Sequence, residues 1–387
     1  MPQNAHYEAV SARLGILQVV LYLSLFAFVI VSFIGNTELI TYRNFYYFFK
    51  DLNTSFESIE MFGNESVSYP TADEQSFVLY RNGLAVASNT SVTVFTETGR
   101  QTLSHSISYK NPIAKGTGKY LLVYELGGTQ YSLYNSYTQI YTGKSDYPIQ
   151  NVAVSNSGMY AIVSSSEEYT SVVSLFNSNF SLINRYNKNG YVMDLDISEN
   201  GDQIAVLTSS AQSGLFHTEL WLHEVGSAEK GTSVSIGNSL ALRCSYTASG
   251  GVSVLCNNGL SFLKGTGHPV FYDFEGKEIV AADLGIYGTS ICLGSSDAVK
   301  NTELIAFDRN GDLIFQELIP HSVKQVVKRE NAVFALYSDG IARFDLQSSE
   351  LLIHPCVTDN KFLLPQNEFD FLLCSPQKAE LYTFTKQ

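Results

Sequence analysis

His217, Glu219 and His223 fall on one predicted strand, LFHTELWLHE, and their even spacing puts all three on one face of it. Two imidazoles and a carboxylate are zinc-ligand types, but a zinc site needs each within about 2.0–2.2 Å of one ion. Six residues of strand extend roughly 20 Å, so the outer pair cannot meet on a metal without a bend. The spacing points to a strand face, and no metal site is expected. Asp194, Asp196 and Ser198, followed by Gly201, have the outline of a calcium loop. An EF-hand loop requires glycine at its sixth position and a bidentate glutamate at its twelfth. Glu199 and Ala205 stand there instead. A strand running into a polar hairpin is the better reading.

Serine is plentiful, but no G-x-S-x-G nucleophile elbow occurs. No P-loop or G-x-G-x-x-G opens a helix. His105, His268, His321 and His354 are scattered without a carboxylate at a telling distance and read as surface or hairpin residues. No catalytic residue and no cofactor is therefore expected from motifs. The cysteines number five, with no C-x-x-C. Cys256, Cys292 and Cys374 sit within apolar strands, where a thiol behaves as a small hydrophobe. Cys244 lies on the strand before Cys256, so one pairing is geometrically open, but there is no disulfide framework. A net charge of −13 argues against nucleic acid, which demands a basic patch. It also argues against a polybasic lipid-binding face, and it would suit a cationic partner.

The elements that must position such residues begin with an uncharged run, LGILQVVLYLSLFAFVIVSFI, from Leu14 to Ile34. About 20 helical residues cover a hydrocarbon core of roughly 30 Å. The run exceeds the apolar stretch of a cleaved signal peptide and lacks a small-residue cleavage site. We expect a short cytoplasmic tail at 1–13, a transmembrane helix at 14–34, and a juxtamembrane stub and connector at 35–75. The rest, 76–387, is the large domain. Arg13 before the run and Arg43 and Lys50 after it do not set the usual orientation. Long domains, however, translocate largely regardless of charge. The domain is rich in Tyr, Ser, Asn, Thr and Gly and poor in Lys, so the expectation is N-terminus inside and domain extracytoplasmic. Tyr42, Phe45, Tyr46 and Phe49 are placed at the headgroup level, where aromatic rings are favoured.

Beyond the run the chain repeats. PIAKGTGKYLLVYEL, VAVSNSGMYAIVSSS, LDISENGDQIAVLTSS and CSYTASGGVSVLCNN each read strand, polar turn with glycine, apolar strand. Gly118, Gly158, Gly201 and Gly250 mark the turns, where positive φ favours glycine. VTVFTETG, VSLFNSNF, LIAFDRNG and IARFDLQS end a strand in Phe95, Phe176, Phe307 and Phe344 before the next turn. A strand–turn–strand unit at a period of about 40–45 residues is a β-propeller signature. The repeat predicts an all-β propeller of eight four-stranded blades, with seven as the alternative, limits at 76–108, 109–145, 146–189, 190–235, 236–279, 280–320, 321–357 and 358–387. The last unit is short, and Phe56–Phe62 is expected to supply its closing strand.

The pattern S-x-x-G-x-x-I-A-V at Ser198–Val206, with its neighbour at Ser155–Val163, resembles the blade hairpin of WD40-like and quinoprotein-like propellers. The W-D dipeptide is absent, and the one tryptophan is Trp221 in ELWLHE. The whole layout resembles a family of uncharacterised, single-pass membrane-anchored propellers of Gram-positive bacteria. That resemblance implies a propeller tethered in the cell envelope. A rigid disc with broad loop surfaces suits a non-enzymatic scaffold for a protein partner in or near the membrane, or for a peptide or glycan ligand. Inserts at 210–216 and 295–301 are candidate contact loops, with Leu215, Phe216 and Trp221 as contact residues. The alternative is an envelope hydrolase or lyase acting on glycan or peptide at the channel mouth.

Overall fold

The computed structural model describes residues 14, 17–27, 66–226, 231–265, 267–294, 302–359 and 361–385. The chain divides into two compact units, Met1–Ser58 and Ile59–Gln387. In the first, residues 17–27 are helical, and Leu17, Leu21, Leu25 and Phe26 are all exposed. No helix among the described residues is long and apolar enough to cross a membrane. Tyr42, Phe45, Tyr46 and Phe49 lie outside the described residues.

The second unit is an eight-bladed β-propeller, each blade a four-stranded antiparallel sheet. A short strand, β1 (Ser66–Ser68), precedes the blades. Blade 1 is β2 (Gln75–Tyr80), β3 (Gly83–Ser88), β4 (Ser91–Phe95) and β5 (Gln101–Ser106). Blade 2 is β6 (Pro112–Gly116), β7 (Leu121–Glu125), β8 (Gln130–Tyr134) and β9 (Gln139–Lys144). Blade 3 is β10 (Ile149–Val154), β11 (Tyr160–Ser164), β12 (Ser171–Phe176) and β13 (Leu182–Lys188). Blade 4 is β14 (Tyr191–Ile197), β15 (Gln203–Gln212), β16 (Leu215–Glu224) and β17 (Thr232–Gly237). Blade 5 is β18 (Ala241–Tyr246), β19 (Val252–Cys256), β20 (Gly259–Leu263) and β21 (Val270–Asp273). Blade 6 is β22 (Glu278–Gly285), β23 (Gly288–Gly294), β24 (Thr302–Phe307) and β25 (Leu313–Ile319). Blade 7 is β26 (Val323–Arg329), β27 (Ala332–Tyr337), β28 (Gly340–Asp345) and β29 (Leu351–Pro355). Blade 8 is β30 (Phe362–Pro365), β31 (Asp370–Cys374) and β32 (Lys378–Thr383), completed by β1.

Burial follows position within the blade. The second strand lies between two neighbouring blades, and β3, β11, β19 and β27 are buried at every residue. Such strands read as unbroken apolar or small-residue runs rather than alternating ones. The outermost strands alternate, as β29 does, with one face wet. The core is thus a ring of inter-blade layers; Ile291 and Phe307 of blade 6 pack with Leu255 and Leu260 of blade 5 in one of them.

Ring closure differs from expectation. β1 pairs antiparallel with β32, Val67 opposite Ala379, so Ser66–Ser68 supplies the last strand and the ring starts upstream of residue 76. Val67 alternates inward between two exposed serines and joins the layer between blades 8 and 1. Residues 56–62 lie outside the described residues. The turn glycines also divide: Gly158, Gly201 and Gly250 have φ of 86°, 76° and 79°, whereas Gly118 is not among the positive-φ residues. All five cysteines are free. Cys244 faces Val254 and Cys256 faces Ala241 across the ladder, so the thiols are not cross-strand partners.

Candidate functional site

Antiparallel order gives the ring two faces. Hairpins joining second to third strands, and the links between blades, lie on one face; the remaining hairpins lie on the other. On the first face the β15–β16 hairpin has the longest strands among the described residues, ten residues in each. It turns at Ser213–Gly214, with φ of 52° and 80°. Positive φ at both central residues is the type I′ arrangement, whose twist matches the strands it joins. Its tip carries Leu215 and Phe216, 59% and 45% exposed. The expected 210–216 loop is therefore an extended hairpin tip. The 295–301 insert lies outside the described residues.

Trp221 is not in a loop. It sits mid-strand on β16, half-buried against the layer between blades 3 and 4. Lys188, from the end of β13, places Nζ 3.5 Å from the Trp221 ring centre. The same nitrogen lies 3.2 Å from His223 Nε2, and Tyr186 stacks on the imidazole at 4.0 Å. Burial pushes the Lys188 ammonium down to about 8. Burial, then the charge of Lys188, pushes His223 down to about 4. A neutral His223 can accept from Lys188 through Nε2, and its Nδ1 is buried without a partner among the described residues. At the other end of the face His217 Nε2 lies 3.7 Å from Glu219 Oε1. Among the described residues no three His, Cys, Asp or Glu side chains gather around a common point.

The Asp194/Asp196 pair does its work between blades. Asp194 Oδ1 accepts from Asn151 Nδ2 of blade 3 at 2.8 Å, and Oδ2 accepts from the Cys244 N–H of blade 5 at 3.0 Å. Asp196 Oδ2 accepts from the Tyr246 N–H at 2.8 Å and from Ser245 Oγ at 2.9 Å. Burial raises the Asp196 carboxyl to about 6. The same device recurs around the ring: Asp283 Oδ2 accepts from the Lys328 N–H, and Gln325 both donates to and accepts from the Leu363 main chain. Innermost strands have one unpaired edge, and side chains of the neighbouring blade satisfy it. These carboxylates are engaged as structural acceptors.

A concavity lies elsewhere, between blades 2 and 3. It is a cleft of about 300 Å³ that opens on the face carrying the hairpin tip, since the 165–169 hairpin and the 145–147 link form its mouth. Its floor follows from register. Tyr160, Ile162 and Ser164 share a face of β11 with Phe176, Ser174 and Val172 opposite on β12. Arg185 and Asn187 of β13 continue that face. At the closed end aromatic rings fill the inter-blade space: Tyr160 stacks on Phe176 at 4.8 Å, and Tyr131 of blade 2 meets Tyr160 at 5.9 Å. At the open end the same face carries Ser164 and Ser174, too small to reach blade 2, and the cleft is the space they leave. Spacing analysis missed it because its walls come from strands of two blades. The one sequence signal is the serine at alternate positions where neighbouring repeats are apolar.

A model for a family of unknown function, DUF5711, matches residues 53–380. No curated protein matches the chain in sequence. Among solved structures, Sqt1 of Chaetomium thermophilum, bound to the N-terminus of ribosomal protein L10, is similar at 12% identity, covering 84% of this chain and 98% of that one, with a TM-score of 0.55. BamB from Moraxella catarrhalis is similar at 11% identity, covering 83% and 97%, with a TM-score of 0.55. A eukaryotic initiation factor gives 11% identity, 85% and 87% coverage, and a TM-score of 0.54. At these identities the likeness is one of fold.

Proposed function

The chain belongs to the DUF5711 family of unknown function, and on that premise we propose that it is a membrane-tethered, extracytoplasmic propeller acting as a non-enzymatic scaffold for a protein partner. The observation that carries this reading is the β15–β16 hairpin, which projects Leu215 and Phe216 into solvent on one face of a rigid ring. Exposed large apolar side chains on a rigid projection are suited to insertion into a partner's pocket. A propeller of this shape, Sqt1, has been solved with the N-terminus of another protein bound to it. For the tether, support comes from the uncharged run 14–34 and from the exposed apolar side chains of residues 17–27. Tethering confines the ring near membrane partners and raises their effective concentration.

The test is cross-linking and co-purification from membranes with wild type and a Leu215→Asp/Phe216→Asp variant. Loss of one defined partner with the thermal midpoint unchanged supports the reading; unchanged capture removes the hairpin from it. Protease shaving of intact cells carrying a C-terminal tag tests location. Loss of the tag supports an extracytoplasmic ring, and protection until lysis overturns it.

A further inference from the structure

We propose that the cleft between blades 2 and 3 binds an uncharged saccharide. Ser164 and Ser174 share its floor, and among the described residues neither side chain makes a hydrogen bond. Ser164 is only 7% exposed, so its hydroxyl is a buried donor and acceptor that the protein leaves unmet. The aromatic rings fall into two sets. At the closed end Tyr131, Tyr160 and Phe176 contact one another and are core. At the mouth Tyr147 and Tyr169 are half-buried, and among the described residues neither ring meets another ring and neither hydroxyl has a partner. Free aromatic faces beside unpaired hydroxyls complement a pyranose, which has apolar C–H faces and a rim of hydroxyls. Aromatic walls with a few convergent polar groups are the usual composition of a small-ligand site.

Charge selects neither sign. Lys144, Arg185 and Asp146 line the cleft, and the hairpin at its mouth adds Glu167 and Glu168. Two cations thus stand against three carboxylates, and Arg185 lies 3.8 Å from Asp146. All five side chains are exposed, where single charge contacts are weak. Beneath them β11 and β12 present Ile162, Ser164, Val172, Ser174 and Phe176, without a charge. A ligand with net charge of either sign meets like charges as well as opposite ones, whereas a neutral polyol uses every group as a donor or acceptor.

Main-chain geometry selects the saccharide over a peptide. The N–H and C=O groups of β11 and β12 along the cleft are committed to the β10–β11, β11–β12 and β12–β13 ladders. An extended peptide would find no free strand edge inside the cleft to add to. A polyol needs only the side-chain hydroxyls and rings that are present.

The experiment is calorimetric titration of the full chain with maltotriose and triacetylchitotriose, with trigalacturonate and acetyl-trialanine amide as the charged and peptide controls. At least one neutral saccharide is expected to bind, and trigalacturonate no more tightly than it. Raising salt to about 0.5 M should change the neutral saccharide's affinity by less than about twofold, since no ionic contact contributes. Ser164→Ala removes a hydroxyl that the protein does not use, so it should keep the thermal midpoint and weaken binding about threefold or more. Tyr169→Ala should weaken it about fivefold or more; Ser164→Ala keeps the test decisive if that variant does not fold. No heat with either neutral saccharide at millimolar concentration overturns the proposal. So does tighter binding of trigalacturonate, which would make the site ionic, or of acetyl-trialanine amide, which would make it a peptide site. Affinity unchanged in Ser164→Ala and Tyr169→Ala would place the saccharide elsewhere and overturn it too. The cleft belongs to blades 2 and 3, so its failure leaves the reading of the blade 4 hairpin untouched.

Discussion

Lys188 of blade 3 holds its ammonium nitrogen 3.5 Å above the centre of the Trp221 ring of blade 4, and the only tryptophan of the chain thereby becomes a seat for that cation. The pair is an inter-blade clamp: a cation over an indole face gains roughly 1–2 kcal/mol when desolvated. Against this stands the burial of the charge, which is why Lys188 titrates near 8 rather than 10.5.

That opposition sets a pH dependence. Folded Lys188 holds its proton less tightly than unfolded lysine, so between about 8 and 10.5 the unfolded chain binds more protons and stability rises with pH. Folded His223 titrates near 4 against 6.5, so its contribution is present above 6.5 and is lost as pH falls toward 4. Lys188→Met should reduce the alkaline rise, the remainder belonging to Lys328, whose ammonium burial also pushes down to about 8, and it should reduce the acid loss, because a charge depressing His223 is gone. Its net cost near neutral pH should lie within about 1 kcal/mol, the lost cation–π contact offsetting the removed buried charge. Denaturant titrations near pH 5, 7.5 and 10 check this, and an alkaline rise undiminished in the variant would show that Lys188 does not contribute to it.

Asp196 behaves in the opposite sense. Its carboxyl is raised to about 6 from 3.8, so the folded chain binds the extra proton between those values, and stability from this group falls as pH climbs through that window. Asp196→Asn removes the titration and leaves one acceptor oxygen where two serve the Ile197 and Tyr246 N–H groups. The variant should be less stable at neutral pH by about 1–3 kcal/mol. The gap to wild type should widen as pH drops from 6 to 4. A gap that does not change with pH would mean that Asp196 ionises normally.

Two glycines at matching places in the repeat should respond differently to alanine. Gly201 has φ of 76°, and a Cβ there would lie 2.1 Å from Ser157 Oγ, so Gly201→Ala should cost about 1–3 kcal/mol. At Gly118 the backbone is outside the positive-φ region and the nearest atom to a Cβ is Asn156 Oδ1 at 3.1 Å. Gly118→Ala should stay within about 1 kcal/mol of wild type. Equal losses at the two sites, read by thermal unfolding, would contradict this distinction.

Ring closure offers a fourth test. Removing the residues before Thr71 deletes β1 and, with it, the bond from Tyr69 Oη to the Ser375 carbonyl at 2.6 Å. β32 would then present an open edge, the kind that recruits other chains. The truncated ring should unfold at lower temperature and aggregate, as light scattering will show, whereas Val67→Ala should fold and lose about 1–2 kcal/mol. A truncation as stable and monomeric as the full chain would show that β1 is dispensable.

The propeller was legible in the sequence because its unit is local. A polar turn such as SENG before an apolar strand such as QIAVL, recurring about every 40 residues, specifies a blade without knowledge of any other blade. Phe95, Phe176 and Phe307 end the strands that their spacing implied, and Phe344 stands one residue before the end of β28. Local pattern could not say that Asp196 serves a neighbour 50 residues on, or that Lys188 lies on Trp221, because both contacts cross between blades. Nor could it show that Ser164 and Ser174, ten residues apart, leave a space against Tyr131. Composition and period determined the element type, the blade count and the acidic surface. Only the closed ring decided which faces meet, since the gap between two blades depends on side-chain sizes from both.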